Sequence, residues 1–401
     1  MRGFFVDRRF GWDCHGLPVE YEVEQSLNIS GKTDIERMGV AAFNEKCRSI
    51  VLRYTSEWRN TVLRMGRWVD FERDYKTMDP DYMESIWWVF KSLWDKGLVY
   101  EGRKILPYCP RCATPLSNFE TNQGYVEVTD PAVTVKFKVK GKDNTYLLAW
   151  TTTPWTLPSN MALAVGKGIP YVRVRDKGEE YILARARLDA YYGGDREYDS
   201  LSEIDAGELE GLGYEPLFPY FDGLAEEGAF RVITGDFVTT EEGTGIVHVA
   251  PGFGEDDYRA GIEKGIPAVC PVDDEGRFTE EVEDYRGRMV KETDADILAR
   301  LKDEGRLVHR GTIVHAYPHC WRCDSALIYR GISTWFVRVE AIKDRLSEAN
   351  REIRWVPGHL RDGRFGKWLE GARDWAISRN RYWGTPLPVW SSSDGEERVC
   401  V

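Results

Sequence analysis

The 401-residue sequence has no apolar run close to the ~18 residues that a membrane span needs, and its first residues lack the apolar core of a signal peptide. It holds only eight cysteines, too few for a disulfide-stabilised scaffold. It also has no excess of positive charge, because 54 Lys and Arg against 66 Asp and Glu give a net charge of −12. We therefore expect a cytoplasmic chain without membrane contact, in which nucleic acid could bind only at local basic patches.

The chain does contain enough apolar residues for a large core, with 42% hydrophobic and 30% charged residues. Apolar residues repeat every three to four positions from Asp79 to Trp94, with Asp79 and Pro80 as the start signal, which predicts a helix. Helical patterns return near residues 292–303. Between them, alternation and turn residues predict strands at 132–140, 145–150, 171–175, 180–184, 231–234 and 245–249. This order predicts an α/β fold with a β-rich domain inserted into another domain.

Two segments, 95–112 and 303–323, repeat one order of features: a helix end, a glycine stop, a short strand and a CxxC pair. Chance similarity between generic helix ends is the alternative. We expect the two segments to lie at the base of the inserted domain, one on each connecting strand.

The two CxxC pairs can supply four thiolates to one tetrahedral zinc ion. They are separated by 207 residues, so one shared site requires the fold to bring the two ends of the insertion together. Metal-free knuckles and a redox pair are the alternatives. The predicted zinc ligands are Cys109, Cys112, Cys320 and Cys323, and the other four cysteines are expected to be buried.

The string GWDCHGLPVE, Gly11–Glu20, follows an apolar, strand-like segment at Gly3–Val6 and precedes a segment able to form a helix at Tyr21–Leu27. This order predicts that Asp13 and His15 lie at the carboxyl end of a strand, where open α/β sheets bind ligands. A carboxylate there can neutralise a substrate ammonium, and an imidazole can donate to a phosphate or ribose. A turn without function is the alternative.

Two segments of the β-rich part carry polar groups at strand ends. WTTTPWTLPSN, residues 150–160, places hydroxyls in a stretch stiffened by proline and tryptophan, although threonines at a strand end can reflect β-propensity alone. GTGIVHVAPGFGEDDY, residues 243–258, predicts a strand that delivers His248 and a glycine-rich loop that delivers acids. A carboxylate that faces hydroxyls across a pocket can bind an α-ammonium, and a water held there can attack a neighbouring ester.

Near the carboxyl end, RDWAISRNRYWGTPLP, residues 373–388, places three arginines among aromatic residues. This mixture fits phosphate contact with base stacking, and a salt-bridged helix end is the alternative.

Together these strings resemble a known family. GWDCHGLPVE closely resembles the segment downstream of the HIGH signature in the class I isoleucyl-tRNA synthetases, and the valine and leucine relatives differ there. The threonine and glycine-rich strings resemble the editing domain, connective peptide 1, of all three groups. The arginine string resembles the segment that re-enters the catalytic core and faces the tRNA acceptor end. The resemblance implies a partial Rossmann-type core with an inserted β-rich editing domain, divided as 1–125, 126–310 and 311–401.

For the catalytic core, the resemblance implies that Asp13 holds the α-amino group of isoleucine. It implies that Gly11, Trp12 and His15 line the isoleucyl-adenylate pocket with it. The resemblance further implies tRNA contacts by the arginines of the last string, Arg373, Arg379 and Arg381.

For the editing domain, the resemblance implies a hydroxyl wall around valine misacylated to the tRNA 3′ adenosine, formed by Thr151, Thr152 and Thr153. His248 would abut the amino-acid side chain. Asp257 would hold the ammonium, with Asp256 and then Glu255 as the next candidates. Such a site is needed because one methylene discriminates isoleucine from valine only about 10²-fold in binding.

The implied activity is ATP- and Mg²⁺-dependent ligation of isoleucine to tRNA(Ile) by a monomer with a structural Zn²⁺, and hydrolysis of Val-tRNA(Ile). The family's HIGH and KMSKS elements and its anticodon-binding domain have no counterpart here, so we expect an internal fragment that does not form isoleucyl-adenylate by itself. Three alternatives stay open: a free-standing aminoacyl-tRNA deacylase, a zinc-stapled RNA-binding module, and a valine- or leucine-specific sister enzyme.

Overall fold

The computed structural model describes residues 3, 5–193, 198–395 and 397–401. The chain divides into two compact units. Unit 1 comprises Met1–Arg103 and Ser333–Val401, and unit 2 comprises Lys104–Ile332. Both CxxC pairs thus belong to unit 2, whereas the predicted division placed them in the flanking segments. The predicted domain boundaries stay a prediction.

The helices of the described residues are α1 Leu17–Leu27, α2 Gly31–Met38, α3 Val40–Arg64, α4 Pro80–Asp95, α5 Asn118–Thr121, α6 Leu188–Tyr192, α7 Ala206–Leu209, α8 Glu255–Lys264, α9 Asp294–Asp303, α10 Lys343–Glu352 and α11 Arg364–Glu370. The strands are β1 Arg9–Trp12, β2 Asp70–Lys76, β3 Val99–Cys109, β4 Thr114–Pro115, β5 Tyr125–Lys138, β6 Thr145–Thr151, β7 Ala162–Val165, β8 Tyr171–Asp176, β9 Glu179–Ala184, β10 Asp199–Ile204, β11 Arg231–Thr234, β12 Ile246–Val249, β13 Leu307–Pro318, β14 Ile328–Val337, β15 Trp375–Ala376, β16 Val389–Ser391 and β17 Arg398–Cys400.

In unit 1, β1 and β2 pair in parallel, with Gly11 opposite Tyr75. The predicted helix after Asp79 is confirmed as α4, which begins at Pro80 because proline has the helical φ angle and needs no N–H partner there. The predicted strand at Gly3–Val6 is wrong for its described residues: residues 5–8 are irregular and the strand is β1, four residues after Phe5. Phe4 lies outside the described residues. The apolar run misled because alternation, rather than apolarity alone, marks a half-buried strand.

The core of unit 1 forms where α1, α3 and the segment around Trp383 meet. Buried apolar side chains contact one another there: Cys14, Val23, Ile35, Phe43, Cys47, Val51, Met78 and Trp383. Burial of Cys14 and Cys47 is as predicted. This core fixes the string Gly11–Glu20 against the carboxyl-terminal segment of the same unit.

Unit 2 is built on a sheet whose strands, among the described residues, run in the order β10-β8-β9-β6-β12-β7-β11, with β5 beside β6 and β13 beside β5. The bridges Gly213–Arg231 and Tyr214–Val139 link β11 back to the end of β5. The sheet therefore curls into a barrel-like layer around a core that includes Phe137.

The sequence patterns located these elements well. All six predicted strands and the helix predicted near 292–303 are confirmed within a few residues, except that β5 begins seven residues earlier. The two CxxC segments also share the predicted order, because Gly97 and Gly305 adopt φ angles of 67° and 68° after α4 and α9 and a strand follows each.

Within the part of the chain that the structure describes, no helix has the length and apolarity needed to cross a membrane.

Candidate functional site

The ends of two neighbouring strands bring the predicted hydrolytic residues of unit 2 together. Strands β6 and β12 run parallel, with Trp150 opposite Val247. Thr151 and His248 each follow one of these paired residues, so both lie at the same end of the sheet. A 3₁₀ turn, Pro154–Ser159, leaves this end of β6, and a loop leads from β12 into α8.

The threonines form a chain of hydroxyls at the beginning of the turn. Thr151 Oγ1 lies 3.3 Å from Thr153 Oγ1, which lies 3.2 Å from Thr156 Oγ1. Thr151 is 7% exposed, whereas Thr152 and Thr153 are half-buried. This chain can present hydroxyls to a ligand without carrying charge.

Hydrogen bonds fix the imidazole of His248 on both nitrogens. The Asn160 side-chain amide donates to Nδ1 at 2.8 Å, and this assigns the ring proton to Nε2, which donates to Thr156 Oγ1 at 3.1 Å. Tyr214 donates its hydroxyl to Asn160 Oδ1 at 2.6 Å and so sets the orientation of the amide. Burial lowers the pKa of His248 to about 4. The ring is therefore neutral at pH 7, with neither nitrogen available as a general base.

Asp257 lies in the first turn of α8 and is turned back toward the end of β12. Its Oδ2 accepts the backbone N–H of Ala250 at 2.9 Å. A Cβ on Gly254 would come within 2.7 Å of the carboxylate, so this position requires glycine. Burial raises the pKa of Asp257 to about 6. The group is a partly desolvated carboxylate at neutral pH, suited to an ammonium.

The two other acids of this loop are exposed. Asp256 bonds Arg259 at 2.7 Å on the outer face of α8, and Glu255 opens the helix. Of the three candidates, the geometry thus favours Asp257 as the ammonium partner, and its role stays a prediction.

The four predicted ligand sulfurs of unit 2 come together across the intervening 207 residues. All four lie within 4.8 Å of one another, and Cys323 Sγ lies 3.5 Å from the sulfurs of both Cys109 and Cys112. Tetrahedral zinc with bonds of about 2.3 Å places its sulfurs about 3.8 Å apart, which fits this cluster. Hydrogen bonds from Cys109 and Cys112 lower the pKa of Cys320 to about 7. The cluster could hold a metal ion.

Both knuckles have the same backbone turn. The residue after the second cysteine of each pair, Ala113 and Asp324, adopts a positive φ angle of 48° and 58°. The left-handed residue turns the chain so that each CxxC pair directs its two sulfurs to the shared centre.

In unit 1, the predicted adenylate-site residues lie in β1 or directly after it. Asp13 is exposed and follows the last residue of β1, so it lies at the carboxyl end of a strand, although this strand is not the predicted Gly3–Val6. The indole of Trp12 donates to Asp74 Oδ2 at 2.8 Å, and a Cβ on Gly11 would lie 2.3 Å from the Tyr75 ring. His15 packs edge-on against Trp383, and burial lowers its pKa. A side chain at position 11 would therefore displace the Tyr75 ring.

The three arginines predicted to contact tRNA have different surroundings. Arg373 is exposed, whereas Arg379 donates to the carbonyls of Ala376 and Ser378 at 3.0 and 2.9 Å. The Arg381 side chain is 8% exposed and pairs with the buried carboxylate of Glu20. Arg381 therefore has a structural partner, and Arg373 is the exposed member of the three.

Sequence reasoning missed three residues of the candidate hydrolytic site. Thr156, Asn160 and Tyr214 hold His248, yet only the first two lie in the string already singled out. The polar residues of that string provided a signal, since a buried amide after a proline-stiffened turn needs partners. No local sequence pattern marked Tyr214 as a residue of this site.

Comparison with known proteins shows what this chain is similar to. The family "tRNA synthetases class I (I, L, M and V)" matches residues 1–401. The chain is 58% identical to the isoleucine–tRNA ligase of Treponema denticola, covering 100% of this chain and 40% of that protein. It is 58% identical to that of Bdellovibrio bacteriovorus and 56% to that of Chlamydia trachomatis, with 100% and 99% of this chain and 38% of each relative covered.

The chain thus spans about two fifths of the length of these relatives. A solved structure, "The crystal structure of GlLeuRS-CP1", overlaps 45% of this chain and 98% of its own at 17% identity and a TM-score of 0.36, too low to support a conclusion. The match along residues 1–401 identifies the chain as a member of the class I tRNA synthetase family.

Proposed function

We propose that this chain is part of an isoleucine–tRNA ligase. The whole enzyme would activate isoleucine with ATP and Mg²⁺, transfer it to tRNA(Ile), and hydrolyse Val-tRNA(Ile) formed in error. The identity to isoleucine–tRNA ligases, up to 58% along the chain, supports the choice of amino acid. The observation that carries the hydrolytic part is the placement of Thr151–Thr153, His248 and Asp257 at one end of β6 and β12.

The chemistry of unit 2 suits ester hydrolysis on an aminoacyl-tRNA. Asp257 would neutralise the α-ammonium, and the half-buried hydroxyls of Thr152 and Thr153 would bind the ribose, the ester or the attacking water. His248 is held neutral with both nitrogens bonded, so it would act as a wall beside the amino-acid side chain rather than as a base. A rigid wall can exclude isoleucine, which is larger than valine by one methylene.

The residues of unit 1 suit the activation site. Asp13 is exposed at a strand end and would hold the α-ammonium of isoleucine, and Gly11, Trp12 and His15 would line the adenylate pocket beside it. Arg373 would contact tRNA phosphates. The same assignment for Arg379 and Arg381 has less support, because both are less exposed than Arg373.

The cysteine cluster would hold a structural Zn²⁺ through Cys109, Cys112, Cys320 and Cys323. The ion would cross-link the two chain segments that enter and leave the rest of unit 2, which offsets the entropy of closing a long loop. We also propose that the protein is a monomer in the cytoplasm without membrane contact.

Hydrolysis of Val-tRNA(Ile) by this chain in the absence of ATP tests the proposal. We expect hydrolysis by the chain and none by Asp257→Ala. A zinc-stapled RNA-binding module predicts instead that the chain does not hydrolyse the ester and that Asp257→Ala binds tRNA unchanged. A free-standing deacylase and part of a ligase would both hydrolyse the ester. The two alternatives differ in whether the hydrolytic activity in cells belongs to a longer gene product.

ATP–pyrophosphate exchange tests the ligase part. We expect isoleucine-dependent exchange from a longer product that contains this chain. Exchange that depends on valine or leucine in that longer product would instead assign it to a sister enzyme.

A further inference from the structure

The 3₁₀ turn that follows Thr151–Thr153 has a buried backbone donor at its start. Trp155, its second residue, is 3% exposed. The first N–H groups of a helix have no acceptor within it, and a buried one without a partner is unfavourable. The partner comes from far along the sequence: Trp155 N donates to Oδ1 of Asp294 at 2.8 Å.

Asp294 is well placed to act as a fixed anchor. It is the first residue of α9, whose Ile297 and Leu301 are fully buried and hold the helix against the turn. The partial positive charge of a helix N-terminus favours a carboxylate at this position. The ammonium group of Lys291 also attracts the Asp294 carboxylate. Lys291 Nζ lies 3.9 Å from Asp130 Oδ2, and the same oxygen lies 3.0 Å from His315 Nε2.

The anchored turn holds the groups that define the hydrolytic site. Thr156 donates its hydroxyl to Thr153 O at 2.8 Å and accepts from His248 Nε2. A shift at the start of the turn would therefore move the hydroxyls of Thr153 and Thr156 relative to His248.

We propose that Asp294 is a positioning residue for the hydrolytic site: it fixes the start of the Pro154–Ser159 turn and, through it, the hydroxyls beside His248. It acts only through the backbone of Trp155. This inference rests on the proposed function, since the turn positions a catalytic site only if unit 2 hydrolyses an aminoacyl ester.

The N–H group of Trp155 requires an acceptor oxygen at the position of Asp294 Oδ1, and the charge on that oxygen is less important. Burial raises the pKa of Asp294 to about 7, against the lowering effect of Trp155 N–H and Lys291, so the group is only partly ionised at neutral pH. Asparagine offers the same acceptor oxygen in the same position without a charge. Glutamate keeps the charge but displaces the oxygens by one methylene. These two variants therefore separate position from charge.

The experiment measures single-turnover hydrolysis of Val-tRNA(Ile) by the full chain and by Asp294→Ala, Asp294→Glu and Asp294→Asn. We expect Ala and Glu to lose about 10- to 100-fold in rate with little change in KM, because misplaced groups slow chemistry more than binding. Asn should recover the rate to within about threefold. Asp296→Asn is the matched control, since Asp296 lies two residues further along α9 and pairs with Arg288 at the surface.

Amide hydrogen exchange of residues 151–160 gives a readout independent of activity. The Trp155 amide should exchange at least about tenfold faster in Ala and Glu and near the wild-type rate in Asn. If Ala does not fold, Glu and Asn decide the question. Wild-type hydrolysis or exchange in Glu, or no recovery in Asn, overturns the inference. If the unaltered chain does not hydrolyse Val-tRNA(Ile), the proposed function is wrong. In that case the hydrogen-exchange data still show whether Asp294 fixes the backbone of Trp155.

Discussion

The side-chain amide of Asn160 lies 2.8 Å from Nδ1 of His248, and this bond, with Tyr214 behind it, holds the imidazole as its neutral Nε2–H form. A histidine at the centre of a candidate hydrolytic site is thus a rigid, uncharged wall. The selectivity of the site would follow from this rigidity, since a pocket that cannot widen can exclude one extra methylene.

The first prediction concerns the pH dependence of stability. The pKa of His248 is about 4 in the folded chain and near 6.5 when unfolded, so the unfolded state binds the extra proton as the pH falls. The free energy of unfolding that His248 contributes is present above pH 6.5 and is lost as the pH falls toward 4. The difference in unfolding free energy between the chain and His248→Asn should therefore shrink by about 2–3 kcal/mol from pH 7 to 4.5. Urea denaturation measures it, and a constant difference would contradict the neutral buried state.

The second prediction concerns the pH dependence of hydrolysis. Asp257 must be ionised to hold an ammonium, and burial places its pKa at about 6. The kcat/KM for Val-tRNA(Ile) should therefore fall as the pH drops through 6. Asp257→Asn should lower kcat/KM about 10- to 100-fold at pH 7, because it removes a charge-assisted hydrogen bond. Asp256→Asn, on the exposed face of α8, is the control and should change little. A loss in both variants would mean that the general charge of α8, rather than Asp257, is required.

The third prediction concerns the metal. Protein purified with zinc should contain one Zn²⁺ per chain by elemental analysis, and Cys112→Ser should reduce that content and lower the Tm. Cys270→Ser is the control, since Cys270 is outside the cluster. A zinc content near zero in folded wild-type protein would exclude the metal site and leave metal-free knuckles.

The fourth prediction separates the arginines of unit 1. Removing one partner of a buried ion pair leaves the other charge unpaired, so Arg381→Ala should lower the unfolding free energy by about 3 kcal/mol or more. Arg373→Ala, at an exposed position, should change the unfolding free energy by no more than about 1 kcal/mol, weaken tRNA binding and reduce the salt dependence of binding by about one unit of slope. Unchanged stability in Arg381→Ala would show that its guanidinium is free to contact tRNA.

Local signals predicted much of the fold. The helix at 79–94 and the strands of unit 2 follow from periodicity and turn residues, which depend on neighbouring residues in the sequence. The cluster of four sulfurs followed from spacing and from the expectation that an insertion returns to its starting point. The strand at the amino end was misplaced, because an apolar run without alternation does not fix a strand.

Long-range partners could not be predicted from local patterns. Tyr214 and Asp294 lie 54 and 139 residues from the groups they bond, and neither carries a motif. The buried ion pair of Arg381 with Glu20 could not be predicted for the same reason. An arginine among aromatic residues has the same local sequence pattern in a core and on an RNA-binding surface. Only the fold decides which partner each side chain meets.

The most direct test of the central claim compares hydrolysis of Val-tRNA(Ile) and Ile-tRNA(Ile) by this chain, side by side, under the same single-turnover conditions. The account predicts hydrolysis of the valyl ester at least about tenfold faster than that of the isoleucyl ester, because the fixed wall at His248 excludes the extra methylene. Equal rates for the two esters, or no hydrolysis of either above the spontaneous rate, would contradict it.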